Sequence, residues 1–353
     1  MNLLRPINLL LVLLVATSLI AQKRVIIVEK NNGEGFLEAL EKANTLNADS
    51  ASERLFVFIP NGFYDLGETA LTPILGHNIA LIGESMEGTI IRNAPPVEKE
   101  GISTTATILN RGHNTYIQDL TLKNDLDFYH SGPAGRAVCW QDKGFRAMFK
   151  RVRMLSYQDT YYSHSEECQH YFEDSEVHGT VDFICGAGDI YFNRCTFVTE
   201  KRSLDGSGYN VIVAPRTSTS NWGFVFYDCT IRSIESVFAF ARAWHTHPRC
   251  AWLYTRVEQP ELLMPTHYDP QGLRTTDVVF SEYGTTDAKG RNITPKSNVL
   301  EFLAKEERAR HETVISKKEA ARYTVKNVFG NWRPDKVVKK LEKEAAKLHT
   351  FNN

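Results

Sequence analysis

A repeat constrains this chain more than any other feature. Phe149-Lys150-Arg151-Val152-Arg153 and Phe172-Glu173-Asp174-Ser175-Glu176 begin twenty-three residues apart. Ten residues past each phenylalanine stands an aspartate, Asp159 in Gln158-Asp159-Thr160 and Asp182 in Asp182-Phe183-Ile184-Cys185-Gly186. A period of 20-odd residues built on short strands predicts a solenoid, in which each repeat buries its apolar face only by stacking on the last. With one repeat per coil, the two aspartates lie one above the other, backbones ~4.8 Å apart. Carboxylates at roughly 5 Å in an effective dielectric of about 20 repel by about 3 kcal/mol, on the order of two pKa units. One is then held as an acid while the other serves as base or nucleophile. An aspartate at a coil bend can also be a turn residue bonding its own backbone, but that role leaves the shared phase unexplained. The pair reads as catalytic.

The rest of the chain fits a coil. Strand-like runs recur at 25–28, 55–60, 79–82, 89–91, 115–122, 147–155, 170–177, 190–198 and 223–231, separated by Gly, Asn and Asp. Short alternating runs without intervening helices suit a parallel β-helix better than a βαβ fold. Phe36, Leu37, Leu40, Ala43 and Leu46 follow a helical spacing, and a helix there can cover the strand edge that a terminal coil leaves open. At the other end Val337, Val338, Leu341, Ala345 and Leu348 share one helical face, which predicts a docked, packing helix.

The first residues carry one charge, Arg5, and then none until Lys23; 7–20 is apolar apart from Asn8, Thr17 and Ser18. That pattern is a secretory signal peptide over 1–21, cleaved after Ser18 or Ala21, and the expectation is a single exported domain over 22–353. No cysteine precedes Cys139, so lipid attachment at a processed N-terminal cysteine is excluded, and no later segment is apolar enough to span a bilayer. A net charge of -1 argues against a nucleic-acid partner. The six cysteines include no C-x-x-C pair, which leaves zinc and thioredoxin-type readings unsupported. Cys195 and Cys229 occupy the same place in two repeats and can be stacked and free or bridged. His245 and His247 alternate on one face, but no third ligand is in view, and they read as an exposed loop.

Further motifs stand in order along the chain: Asn61-Gly62-Phe63-Tyr64, Ala80-Leu81-Ile82-Gly83-Glu84, Tyr157-Gln158-Asp159-Thr160, Gly179-Thr180-Val181-Asp182-Phe183, Ala241-Arg242-Ala243-Trp244, Glu282-Tyr283-Gly284 and Asn331-Trp332. In these the chain resembles the pectin methylesterases. The resemblance implies a right-handed parallel β-helix, with short capping helices at its N- and C-terminal ends and substrate in a groove along the coils. It implies that Asp182 is the nucleophile on the methyl ester of a galacturonate residue. Asp159 would then be the acid and base, Gln158 an oxyanion donor, and Arg242 the partner that keeps Asp182 ionised. Trp244, Tyr162 and Phe183 would meet the sugar. The partner is a methyl-esterified pectic polysaccharide or oligosaccharide, taken by a monomer without metal or cofactor.

Two departures matter. Arg136 stands where the family usually has a second oxyanion-stabilising glutamine, again twenty-three residues before Asp159 and so in the same stack. An arginine there either donates to the oxyanion or to a neighbouring sugar carboxylate, or holds Asp159 ionised and strips it of the proton it must deliver. The first is the expectation, because a catalytic loss leaves no reason to keep the rest of the site. Cys185 replaces a frequent aromatic, and the family's G-W segment is not evident around Met264-Pro265, so an unusual methyl-esterified uronate of a branched pectin is an alternative substrate. A non-catalytic pectin-binding β-helix is the rival outside enzymes. A lyase would want an acidic calcium cluster, which the chain lacks, and no G-x-S-x-G marks a serine esterase.

Overall fold

The computed structural model describes residues 24–131, 134–245 and 247–348, and the expected signal peptide lies outside the described residues. The twenty-three-residue period is realised as parallel pairing on two different faces. Phe149 pairs with Phe172 on one, and Tyr161 with Ile184 on another. The chain is a parallel β-helix with up to three strands per coil. One face runs from Val25–Ile27 to Val279–Tyr283 and a second from Gly62–Asp65 to Thr286–Asp287. The third is a separate sheet of Thr72–Ile74, Ile108–Asn110, Trp140–Asp142, Tyr161–Ser163, Val181–Gly186, Asn210–Pro215 and Phe238–Ala241.

The first two faces meet at a corner made of left-handed residues. Asp119, Arg151, Asp174, Arg194, Asp228 and Tyr254 occupy equivalent places in successive coils, all with φ between 50° and 57°. This conformation costs a non-glycine residue about 1 kcal/mol. Charges of opposite sign on successive rungs offset part of it: Arg194 Nε donates to Asp174 Oδ1 at 2.9 Å, and Lys150 Nζ to Glu173 Oε1 at 2.7 Å. The corner explains why the expected strands 170–177, 190–198 and 223–231 are each divided in two, as in Gln169–Glu173 and Glu176–Gly179.

The anchor phenylalanines are the core. Phe149, Phe172, Phe192, Phe226 and Trp252 form a continuous interior stack with centroids 4.0, 4.5, 4.8 and 3.8 Å apart. Each is fully buried, and stacked rings add to the area term that dominates such a core. The helix Gly33–Leu46, capped by Asn32 Oδ1 accepting from Gly35 N at 2.8 Å, turns Phe36, Ala39, Leu40 and Ala43 inward over the first coils. The helix Pro334–Ala345 docks as its spacing predicts. Val338, Leu341 and Ala345 pack with Phe329 and Trp332 against the outward rings of Tyr116, Tyr171 and Tyr191. All six cysteines are buried and free, which resolves Cys195 and Cys229 as stacked thiols. No helix among the described residues is long and apolar enough to cross a membrane.

Candidate active site

A bulge aims Asp182. Val181 pairs with Val211 and Ile184 with Val213, so Asp182 and Phe183 together oppose one residue, Ile212. Bulges bend a strand and re-aim its side chains, often beside active sites. Asp182 has φ 54° and Asp159 φ 61°, a region that aspartate tolerates better than most residues. Phe183 is thereby turned into the core and is fully buried. The bulge also needs Gly179, where an added Cβ would lie 2.1 Å from Phe183 Cβ and 2.5 Å from the Tyr157 carbonyl oxygen. One coil earlier, Thr160 Oγ1 donates to the His178 carbonyl at 2.7 Å and fixes the turn that carries Asp159.

Asp159 and Asp182 line one cavity of about 150 Å³ with Gln158, Arg136, Ile102 and Trp244. An adjoining cavity of about 280 Å³ adds Arg202, Gly208, Tyr209 and Arg242. Arg242 grips Asp182 with both edges of its fork, Nε to Oδ1 at 2.9 Å and Nη2 to Oδ2 at 2.6 Å, while Nη1 donates to Gln271 Oε1 at 2.9 Å. Gln158's carboxamide forms no hydrogen bond among the described residues, so its donors face the cavity unspent.

The two carboxyls are driven apart in acidity. Burial pushes Asp159 well above the usual carboxylate range and Asp182 adds to it by repulsion; Arg136 and Arg242 oppose. Burial raises Asp182 too, but the hydrogen bonds and charge of Arg242 pull it back. Both shifts run upward and that of Asp159 is the larger, so burial and repulsion favour a proton on Asp159 while Arg242 favours the carboxylate form of Asp182.

Other expected residues fall in different places. Trp244 is 43 % exposed at the cavity edge, with the Arg216 guanidinium 5.6 Å from its ring centroid. Tyr162 does not present a face to ligand. It is buried behind Trp244 with ring centroids 6.1 Å apart, its hydroxyl hydrogen-bonded to His164 Nδ1 at 2.8 Å, because the strand Tyr161–Ser163 is covered on both sides. Phe183 likewise fills core. Arg136 is not in register with Asp159: it pairs with Gln158, one residue earlier, because that coil is shorter than the next, Trp140 pairing with Tyr161 and Tyr161 with Ile184. His247 is engaged by Asp277 at 2.8 Å.

Sequence reasoning missed Glu100, which binds Arg136, and Arg202, whose guanidinium forms no ion pair among the described residues. One signal could have pointed to Glu100: an arginine in place of a neutral glutamine brings a charge that calls for a carboxylate nearby. Asp142, Cys168 and His170 place ligand atoms within 4.8 Å of one another in the core. Asp142 already accepts from Asn110, Trp140 and Gly144, and the trio is fully buried, away from the cavity.

Comparison with known proteins places this geometry among relatives. A model of the family Pectinesterase matches residues 25–331. Pectinesterase A of Dickeya dadantii is 27% identical over 347 residues, covering 87% of this chain and 91% of that protein. A probable pectinesterase of Arabidopsis thaliana is 26% identical over 313 residues, covering 86% and 78%. Among solved structures, the pectin methylesterase from Erwinia chrysanthemi superposes with a TM-score of 0.64 at 24% identity, covering 84% of this chain and 93% of its own. That from Yersinia enterocolitica gives 0.64 at 23%, covering 82% and 97%.

Proposed function

The chain belongs to the pectinesterase family of carboxylic ester hydrolases, and from that premise we propose that it hydrolyses the methyl esters of galacturonate residues in pectin, releasing methanol. The observation that carries this reading is the pair of aspartates on one cavity, Asp182 held by both edges of the Arg242 fork and Asp159 buried beside it; we take Asp159 as the acid and Asp182 as the carboxylate. An Asp182 oxygen attacks the ester carbonyl. The Gln158 amide and the free Nη1 of Arg136 donate to the oxyanion that develops, preorganised stabilisation worth a few kcal/mol. As the tetrahedral intermediate collapses, the bond to methoxide breaks and Asp159 gives it a proton, leaving an anhydride between the uronate and Asp182. Asp159, now a carboxylate, takes a proton from water as its oxygen attacks the uronate carbonyl. Asp182 leaves as a carboxylate and Asp159 is again the acid. The net change is ester and water to acid and methanol. Trp244 offers the exposed flat face for a sugar ring. The test is to incubate the mature chain with plain and branched methyl-esterified pectins, assaying methanol and ultraviolet-absorbing unsaturated product together. Methanol alone supports the esterase; unsaturated product without methanol replaces it with a lyase.

A further inference from the structure

The site carries a carboxylate that the chemistry above does not use. Glu100 accepts from Arg136 three times: Nε at 3.0 Å, Nη2 at 2.8 Å and the backbone N at 3.1 Å. The same segment is tied to Arg136 by Thr105 Oγ1 and Gly101 N, which both donate to its carbonyl, at 3.1 and 3.3 Å. We infer that Glu100 is a positioning residue of the reaction, one that neutralises Arg136 so that this arginine donates hydrogen bonds beside Asp159 without drawing the proton off it. The inference rests on the acid role proposed for Asp159.

The charges facing Asp159 make the case. They are Asp182, Arg136, Arg242 and Glu100, with the un-ionised Cys185 and Tyr162 closing the other sides. Among these four, Arg242 is matched by Asp182 and Arg136 by Glu100, so the charges acting most on Asp159 pair off before it is counted; Arg202, in the adjoining cavity, acts on Asp182 instead. Asp159 itself is buried, and a carboxylate there would find its neighbouring cations already paired, so the proton is favoured. Without Glu100, Arg136 becomes an unmatched cation and the Asp159 carboxylate gains a partner. Glutamine at 136 would need no such compensation; arginine does. The bidentate grip also leaves Nη1 as the one guanidinium nitrogen that makes no hydrogen bond among the described residues, free for substrate.

The experiment is to titrate Asp159 directly. Protein labelled with carbon-13 at the aspartate side-chain carboxyls is followed by NMR, the Asp159 signal being assigned by its loss in Asp159→Asn. Glu100→Gln, isosteric and still able to accept from Arg136, should lower the Asp159 midpoint by on the order of one pH unit. Arg136→Gln should raise it, and the double variant should return near wild type. The alkaline limb of methanol release should move the same way. A midpoint unmoved in both single variants, or a double variant no closer to wild type than Glu100→Gln, overturns the inference. So does a Glu100→Gln protein that melts earlier or has a higher KM with Asp159 unmoved, since that is a purely structural latch. Absence of methanol from wild type would sink the esterase reading, while the NMR midpoints would still decide the role of Glu100.

Discussion

Arg242→Gln probes the charge that separates the two aspartates. The substitution removes a bidentate pair whose members are 28 % and 14 % exposed. Each charge-assisted hydrogen bond contributes about 1.5–3 kcal/mol, and stripping one partner from a fully buried pair costs about 3–5 kcal/mol. Water reaches part of this site and recovers some of that, which leaves about 2–3 kcal/mol. If that energy keeps Asp182 ionised, its loss lowers kcat/KM by roughly 30–150-fold near the wild-type optimum. The sign of the pH effect follows from the direction of each shift. Arg242 lowers Asp182, so the acid limb, where Asp182 must lose its proton, moves up by about two pH units. Arg242 also lowers Asp159, so the alkaline limb moves up as well, by less. The whole bell shifts to higher pH and activity partly recovers there. Arg242→Lys, which keeps charge but not the fork, should fall between. Initial rates of methanol release across pH, with melting curves to verify folding, decide it. A uniform loss at every pH would refute the reasoning and make Arg242 a substrate contact.

Gly179→Ala forces a Cβ into Phe183 and the Tyr157 carbonyl; it should lower the melting temperature and abolish methanol release together, because the bulge that aims Asp182 cannot form. Asp159→Asn should do the opposite to stability. The folded-state pKa of Asp159 is raised, so its contribution is fully present below the unfolded pKa and lost as pH rises through the folded one. A neutral isostere should therefore melt higher at neutral pH, by about 2 °C or more, while losing turnover; equal melting at neutral pH would count against the raised pKa. Phe192→Ala opens the middle of the aromatic stack and should cost about 3–5 kcal/mol in denaturant unfolding with little change in kcat of the folded fraction. Reductant should leave the melting temperature unchanged, and thiol titration of unfolded protein should find every cysteine free.

Stacking is legible in sequence because equivalent residues recur at a fixed distance. The phase shared by Phe149 with Phe172 and by Asp159 with Asp182 located the core ladder and the two aspartates that share one cavity, and the tail spacing located the docked helix. What escaped depends on the lengths of individual coils. Arg136 at the same nominal spacing falls beside Gln158, since a shorter coil changes register without leaving a mark in the sequence. The bulge at Asp182 turns Phe183 inward, where simple alternation along a strand gives no warning. The corner that divides the long strands needs left-handed residues, and Arg151, Arg194 and Tyr254 are not residues that announce one. Glu100 comes from a segment outside the repeat, so only its contact with Arg136 reveals it. The resemblance supplied Arg242 and Trp244, which periodicity alone does not reach.

The central claim is that Asp182 is the nucleophile of a methyl esterase, and the most direct test is methanol release by wild type and Asp182→Ala under identical conditions, with matched melting curves. The account predicts steady methanol from wild type and a loss of at least about a thousandfold in the variant. A folded Asp182→Ala protein that still releases methanol at a substantial fraction of the wild-type rate would contradict it.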